Sequence, residues 1–170
     1  LKYDLKAVEL SLNTGDSINL PTNYNNVGND YKNLKDFESA LEYFYKSLDA
    51  CKKDNIQMIA LLNINIGDIY QKQQRYKEAI INFRNANKLY IQSGDLYGQA
   101  LSYNFLAEYF LKTNIPDSAI YYAYNAYKIG ENVGNITIQQ QSTELLHKSY
   151  SLKSKQDSAY KYLLLHKSIN

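Results

Sequence analysis

Side chains suited to covalent or metal chemistry are scarce in this sequence. His147 and His166 are its two histidines and Cys51 its single cysteine among 170 residues. An antiparallel pair of helices could bring the two imidazoles together, but a zinc site takes at least three protein ligands. Packing or surface roles are therefore expected for both histidines, and no metal. Lys52 and Lys53 adjoin Cys51 and would favour a thiolate; an inert thiol is the plainer expectation. None of the spacings that build a phosphate loop, a dinucleotide fold, a zinc-protease helix, a redox dithiol or a nucleophile elbow occurs. The expectation is a chain that is no enzyme and needs no cofactor.

Composition narrows the alternatives. The chain is 45% hydrophobic and 21% charged, which is the balance of a folded globular protein of one-domain size. Nineteen Lys and Arg against seventeen Asp and Glu leave a charge of +2, too small and too dispersed for direct nucleic-acid binding. The longest apolar run without tyrosine, Met58 to Leu62, stops at Asn63, far short of the roughly 20 residues that span a bilayer, so no membrane insertion is expected. Two prolines and seven glycines are too few to turn an all-β chain. Long helices are expected instead.

An internal repeat supplies the elements. Tyr24, Val27, Gly28 and Tyr31 return as Asn63, Ile66, Gly67 and Tyr70, as Tyr103, Leu106, Ala107 and Phe110, and as Thr143, Leu146, His147 and Tyr150, at steps of 39, 40 and 40 residues. Twelve residues after each small position stands an alanine: Ala40, Ala79, Ala119 and Ala159. Gly15-Asp16, Asp54-Asn55, Gly94-Asp95 and Gly134-Asn135 repeat at the same step. A glycine past a helix end takes the left-handed conformation, and an adjoining Asp or Asn can cap the next helix, so each pair reads as helix stop and helix start. Two amphipathic stretches lie between successive pairs, and each repeat is therefore expected to be a helical hairpin. The small residues of the two helices should let them approach closely. Turns within the hairpins are expected near Asn33 to Asp36, Gln73 to Arg75, Thr113 to Pro116 and Lys153 to Gln156.

The pattern resembles the tetratricopeptide repeat, whose consensus runs aromatic-x2-L-G-x2-Y, then A-x3-F, then Pro. Tyr24-x2-Val27-Gly28-x2-Tyr31 with Ala40-x3-Phe44, and Ile66-Gly67-x2-Tyr70 with Ala79-x3-Phe83, carry the likeness, while the terminal Pro is missing. A step near 40 exceeds the usual 34 and matches the long-helix variety, similar to repeats of kinesin light chain and of bacterial peptide-sensing regulators. The fourth repeat departs most, with His147 at the small position and Thr143 at the aromatic one. The resemblance implies an all-α, right-handed superhelical solenoid of antiparallel helix hairpins: a single domain over residues 1–170, with an orphan second helix at 1–13 and repeats at about 16–53, 55–93, 95–133 and 135–170. Beginning and ending within structural units, it is expected to be a fragment of a longer protein, with uncapped ends through which two copies could form a homodimer.

First helices of this family line a concave face that holds peptides. Carried over, those positions are Asn25, Asn29 and Asn33; Ile64, Asp68 and Lys72; Asn104, Glu108 and Lys112; and Glu144 and Lys148, with Asn26 and Asn65 beside them. An amide both donates and accepts, which suits the main chain of an extended peptide, so Asn25, Asn29, Asn65 and Asn104 are expected to point into solvent with little partner of their own. Asparagine is also abundant off this face, at Asn82, Asn85, Asn87 and Asn125, so composition alone could place it there. Tyr121 and Tyr124, one turn apart outside the repeat pattern, form an alternative patch for a partner. The family's carboxylate clamp is not expected, since Asn25, Leu101 and Phe105 occupy its basic places.

A protein- or peptide-binding repeat module follows from this reading. The D-S-A openings Asp117-Ser118-Ala119 and Asp157-Ser158-Ala159 and the run Tyr160 to Ser168 resemble the repeat region of bacterial sensor histidine kinases and repeat-bearing transcription regulators. That likeness implies a sensory or interaction domain, outside the cytoplasm rather than within it, that reports through the helix leaving Asn170. The alternative is a non-signalling scaffold or assembly factor.

Overall fold

A computed structural model describes residues 1–169. Among the described residues are nine α-helices and no strand: α1 (Lys2–Thr14), α2 (Leu20–Asn33), α3 (Phe37–Ala50), α4 (Ile56–Lys72), α5 (Tyr76–Ser93), α6 (Leu96–Lys112), α7 (Pro116–Asn132), α8 (Ile136–Leu152) and α9 (Gln156–Ile169). This is the expected all-α series, and α1 packs on α2. Asn170 lies outside the described residues.

Turn chemistry explains the regularity. Lys35, Gln74, Asn114 and Ser154 hold the same place in the four hairpin turns and all take positive φ, 62°, 61°, 60° and 56°. The next residue then donates its N–H back to the carbonyl of Tyr31, Tyr70, Phe110 or Tyr150 at 2.8–3.0 Å, which satisfies a helix-end carbonyl. No glycine is needed, because the left-handed region admits polar residues at modest cost when the surroundings enforce it. Between repeats, Asn55, Asp95 and Asn135 cap α4, α6 and α8, accepting the N–H of Met58, Gly98 and Ile138 at 3.3, 2.8 and 2.9 Å. The first pair behaves otherwise. Asp16 does not cap α2, which starts four residues later; its carboxylate accepts the N–H groups of Ile18 and Asn19 and the Asn19 amide, ordering a loop.

The chain divides into two compact units, Leu1–Asn82 and the residues from Phe83 on, with the division falling inside α5. In the first, the core is Val27, Ala40, Phe44, Ala60, Leu62, Ile66 and Ile69. The small position at Gly28 serves the Phe44 ring: a Cβ there would lie 2.6 Å from it. Tyr43 has Tyr31 stacked at 5.5 Å and Tyr24 tilted at 6.1 Å.

The second unit repeats this scheme. Tyr122 lies 5.5 Å from Phe110, with the planes 2° apart, and 5.7 Å from Tyr103; Tyr162 stacks on Tyr150 at 5.5 Å and 5°. The fourth repeat absorbs its histidine by a hydrogen bond. His147 Nδ1 lies 2.9 Å from the Ala159 carbonyl, which can only accept, so this nitrogen carries the proton. His166 Nδ1 likewise faces the Gln140 carbonyl at 3.1 Å and the Thr143 hydroxyl at 3.2 Å. Both imidazoles tie α8 to α9.

Candidate functional site

The expected groove residues of the first unit fill their own face. Asn25 and Asn65 are 6% and 7% exposed and bond to each other, Asn65 Nδ2 donating to Asn25 Oδ1 at 3.0 Å. Lys32 reaches across from α2, donating to Asn65 Oδ1 at 3.0 Å and lying 3.6 Å from Asp68 Oδ2; Lys72 pairs with the other Asp68 oxygen. Burial holds the Lys32 ammonium below the usual lysine range, against the opposing pull of Asp68, and Lys72 adds to the depression. Ile64 and Asp68 are buried as well. The expectation that Asn25 and Asn65 point into solvent is therefore corrected: with Lys32 and Asp68 they join α2 to α4. Asn26, Asn33 and Lys72 are exposed and Asn29 is half-buried.

In the second unit the equivalent face is open. A cleft of about 420 Å³ runs between α6 and α8, with half-buried Leu101, Phe105, Leu111 and Leu145 among its lining. Asn104, Glu108, Lys112, Glu144 and Lys148, all expected site residues, complete it together with Gln141. Asn104 is corrected in the same sense as Asn25. It is 6% exposed, its Oδ1 accepts the Ser142 hydroxyl at 2.8 Å and its Nδ2 donates to Gln141 at 3.3 Å. The charged residues are 40–53% exposed and form the pairs Glu108–Lys112, at 2.8 Å, and Glu144–Lys148, at 2.5 Å. The Lys148 ammonium holds the Glu144 carboxyl below its usual range.

Register accounts for the difference. Asn25 and Asn104 are equivalent, but Leu111 stands where Lys32 does, and Leu145 and Lys148 stand where Asn65 and Asp68 do. A lysine four carbons long crosses the first face to two acceptors. A leucine at that place neither reaches so far nor finds an acceptor opposite, so the space stays open and apolar. Sequence reasoning carried over the polar groove positions and missed Leu111, Gln141 and Leu145; Leu101 and Phe105 it noted only as lacking a basic clamp. The signal was there in the replacement of Lys32 by Leu111 and of Asn65 by Leu145 within the repeat.

Outside the cleft, Tyr121 and Tyr124 are 60% and 46% exposed on α7, as the alternative patch requires. Cys51 is half-buried at the end of α3, and burial pushes its thiol above the ordinary range, away from thiolate reactivity. No group of three or more His, Cys, Asp or Glu side chains among the described residues could hold a metal. No helix among them is long and apolar enough to cross a membrane.

Comparison with curated protein sequences finds no match. Among solved structures, the chain is similar to the crystal structure of BtubC (BKLC) from P. vanneervenii, with a TM-score of 0.80 at 16% sequence identity over 88% of this chain. The match takes in 63% of that protein, and at this identity it is a likeness of fold. Two family models described as Tetratricopeptide repeat match residues 24–53 and 57–132, together more than half of the sequence. With helical hairpins recurring every 39 or 40 residues, the chain belongs to the tetratricopeptide repeat family.

Proposed function

We propose that this chain is a non-catalytic module that binds a protein or peptide in the α6/α8 cleft. The observation that carries the proposal is the contrast between two equivalent faces: Lys32, Asn65 and Asp68 close one, whereas the other keeps an open cleft over Leu101, Phe105, Leu111 and Leu145. Apolar surface over polar walls is the usual make-up of a recognition site. A peptide selected from a displayed random library against the 170-residue chain should lose binding with Phe105→Glu, while helical circular dichroism persists. Tyr121→Ala with Tyr124→Ala should leave binding intact. The opposite pattern would move the site to the tyrosine face.

As a finer reading, the module serves as the sensory or interaction domain of a bacterial signalling regulator outside the cytoplasm. The D-S-A openings and the character of the Tyr160 to Ser168 run support it. A scaffold without signalling output is the competing reading, and exposed Tyr121, Tyr124 and Tyr160, none of which lines the cleft, favour it by offering a second surface. Homodimer formation belongs to the same proposal. Sedimentation of the purified chain over a concentration range decides that point.

A further inference from the structure

Resting on the cleft as the binding place, we infer that its occupant is a zwitterionic amphipathic peptide held in one direction. Three-residue turns make α6 antiparallel to α7 and α7 antiparallel to α8, so α6 and α8 run the same way. The Asn104–Gln141 and Asn104–Ser142 bonds fix their register. One turn further along stand Glu108 and Glu144, and one turn beyond that Lys112 and Lys148. Both walls therefore read amide, carboxylate, ammonium in the same order, over apolar side chains.

Each tier doubles one kind of group. Two carboxylates share the middle tier and two ammonium groups share the last, about 6 Å further along at 1.5 Å per residue. The intrahelical pairs Glu108–Lys112 and Glu144–Lys148 leave all four side chains 40–53% exposed, and ion pairs so exposed exchange readily for others. A ligand cation in the middle tier and a ligand carboxylate in the last would meet two opposite charges each. Like charges at both places would meet repulsion at one of them. The matching segment carries a basic and an acidic side chain one helical turn apart, flanked by large apolar residues that fill the floor. Charge order then sets direction, and the apolar floor holds the ligand.

The test uses the whole chain and three fluorescein-labelled 15-residue peptides with one shared Leu/Phe face: one with Lys and Glu a turn apart, one with Lys at both places, one with Glu at both. Fluorescence anisotropy should show the mixed peptide binding at least about five-fold more tightly at low salt, a preference that shrinks in concentrated sodium chloride. A nitroxide on its N-terminus should broaden amide signals at one end of the cleft. In the variant E108K/K112E/E144K/K148E, the broadening should move to the other end while the preference for the mixed peptide stays. Equal affinity for all three peptides, lost equally with Phe105→Glu, would overturn the charge-order inference and keep the cleft. Saturable binding by none of them would overturn the binding place itself.

Discussion

The Asn65 amide donates to the Asn25 amide across 3.0 Å, so one hydrogen bond joins the first helices of consecutive repeats. Lys32 supplies the second partner of Asn65 at 3.0 Å. Asn65→Ala leaves the Asn25 oxygen without its donor in a face with little water and takes from Lys32 one of its two acceptors, Asp68 remaining. A loss of about 1–3 kcal/mol is expected, against almost none for the exposed Asn85→Ala. Urea denaturation of the two variants measures it, and equal midpoints would mean that the amide pair contributes nothing.

How far the sequence revealed this architecture depends on the range of the forces involved. Turns and caps are local: an Asn or Asp placed three residues before a helical N–H, or a residue able to take positive φ, can be read from order alone. That is why the hairpin boundaries and the caps Asn55, Asp95 and Asn135 were legible, while Asp16, with a four-residue loop to organise first, was not. The face of Asn25, Asn65 and Asn104 was legible as a face. Whether it is groove or seal depends on whether a side chain crosses to the next repeat: Lys32 reaches Asn65 over 33 positions of sequence, and its counterpart Leu111 does not cross. No periodicity within one helix contains that information. Partner identity is further still from the sequence, since exposed charges such as Glu108 and Lys148 specify complementarity and not an owner.

Ala79 is fully buried in the first unit, in the same register as Ala40. Ala79→Leu adds three carbons where interior density leaves no room, and the chain should lose about 1–3 kcal/mol through displaced neighbours. Thermal unfolding followed at 222 nm checks it. An unchanged midpoint would show that the site relaxes and that the close approach of the two helices is not needed there.

Tyr90 is buried against Gly98, and burial, with Asp95 and Tyr97 adding to it, pushes its hydroxyl up to about 12. The unfolded chain ionises this group near the ordinary tyrosine value of about 10. A raised folded-state value means that the folded form keeps its proton longer, so the associated stability is complete below pH 10 and drains away as pH climbs toward 12. The slope should be appreciable in urea titrations across that window, up to about 2 kcal/mol in total. Tyr90→Phe should flatten it. An equally steep decline in Tyr90→Phe would assign the alkaline loss to other groups, Tyr45 first among them, whose hydroxyl is also pushed up to about 12 by burial.

Repeat two lacks a ring that the others have. Tyr31 stacks on Tyr43, Phe110 on Tyr122 and Tyr150 on Tyr162, always 12 residues apart and about 5.5 Å between centroids. In register with Tyr43, Tyr122 and Tyr162 stands Asn82, and Tyr70 is served instead by the Arg75 guanidinium over its ring at 4.4 Å and by the Tyr45 hydroxyl at 2.8 Å. Asn82 is half-buried, and its amide bonds the Glu78 carbonyl one turn back, a bond the helix can do without. Asn82→Tyr should therefore complete the fourth stack and stabilise the chain by about 0.5–1.5 kcal/mol, the value of an aromatic pair beyond its buried area. A raised Tm, with an upfield shift of the Tyr70 ring protons, would show the pair formed. A lowered Tm that recovers in Asn82→Tyr with Arg75→Ala would show that the guanidinium already occupies the ring face and that repeat two exchanged stacking for a cation. A lowered Tm without that recovery would mean that the backbone of α5 at Asn82 does not hold the spacing found in its three counterparts.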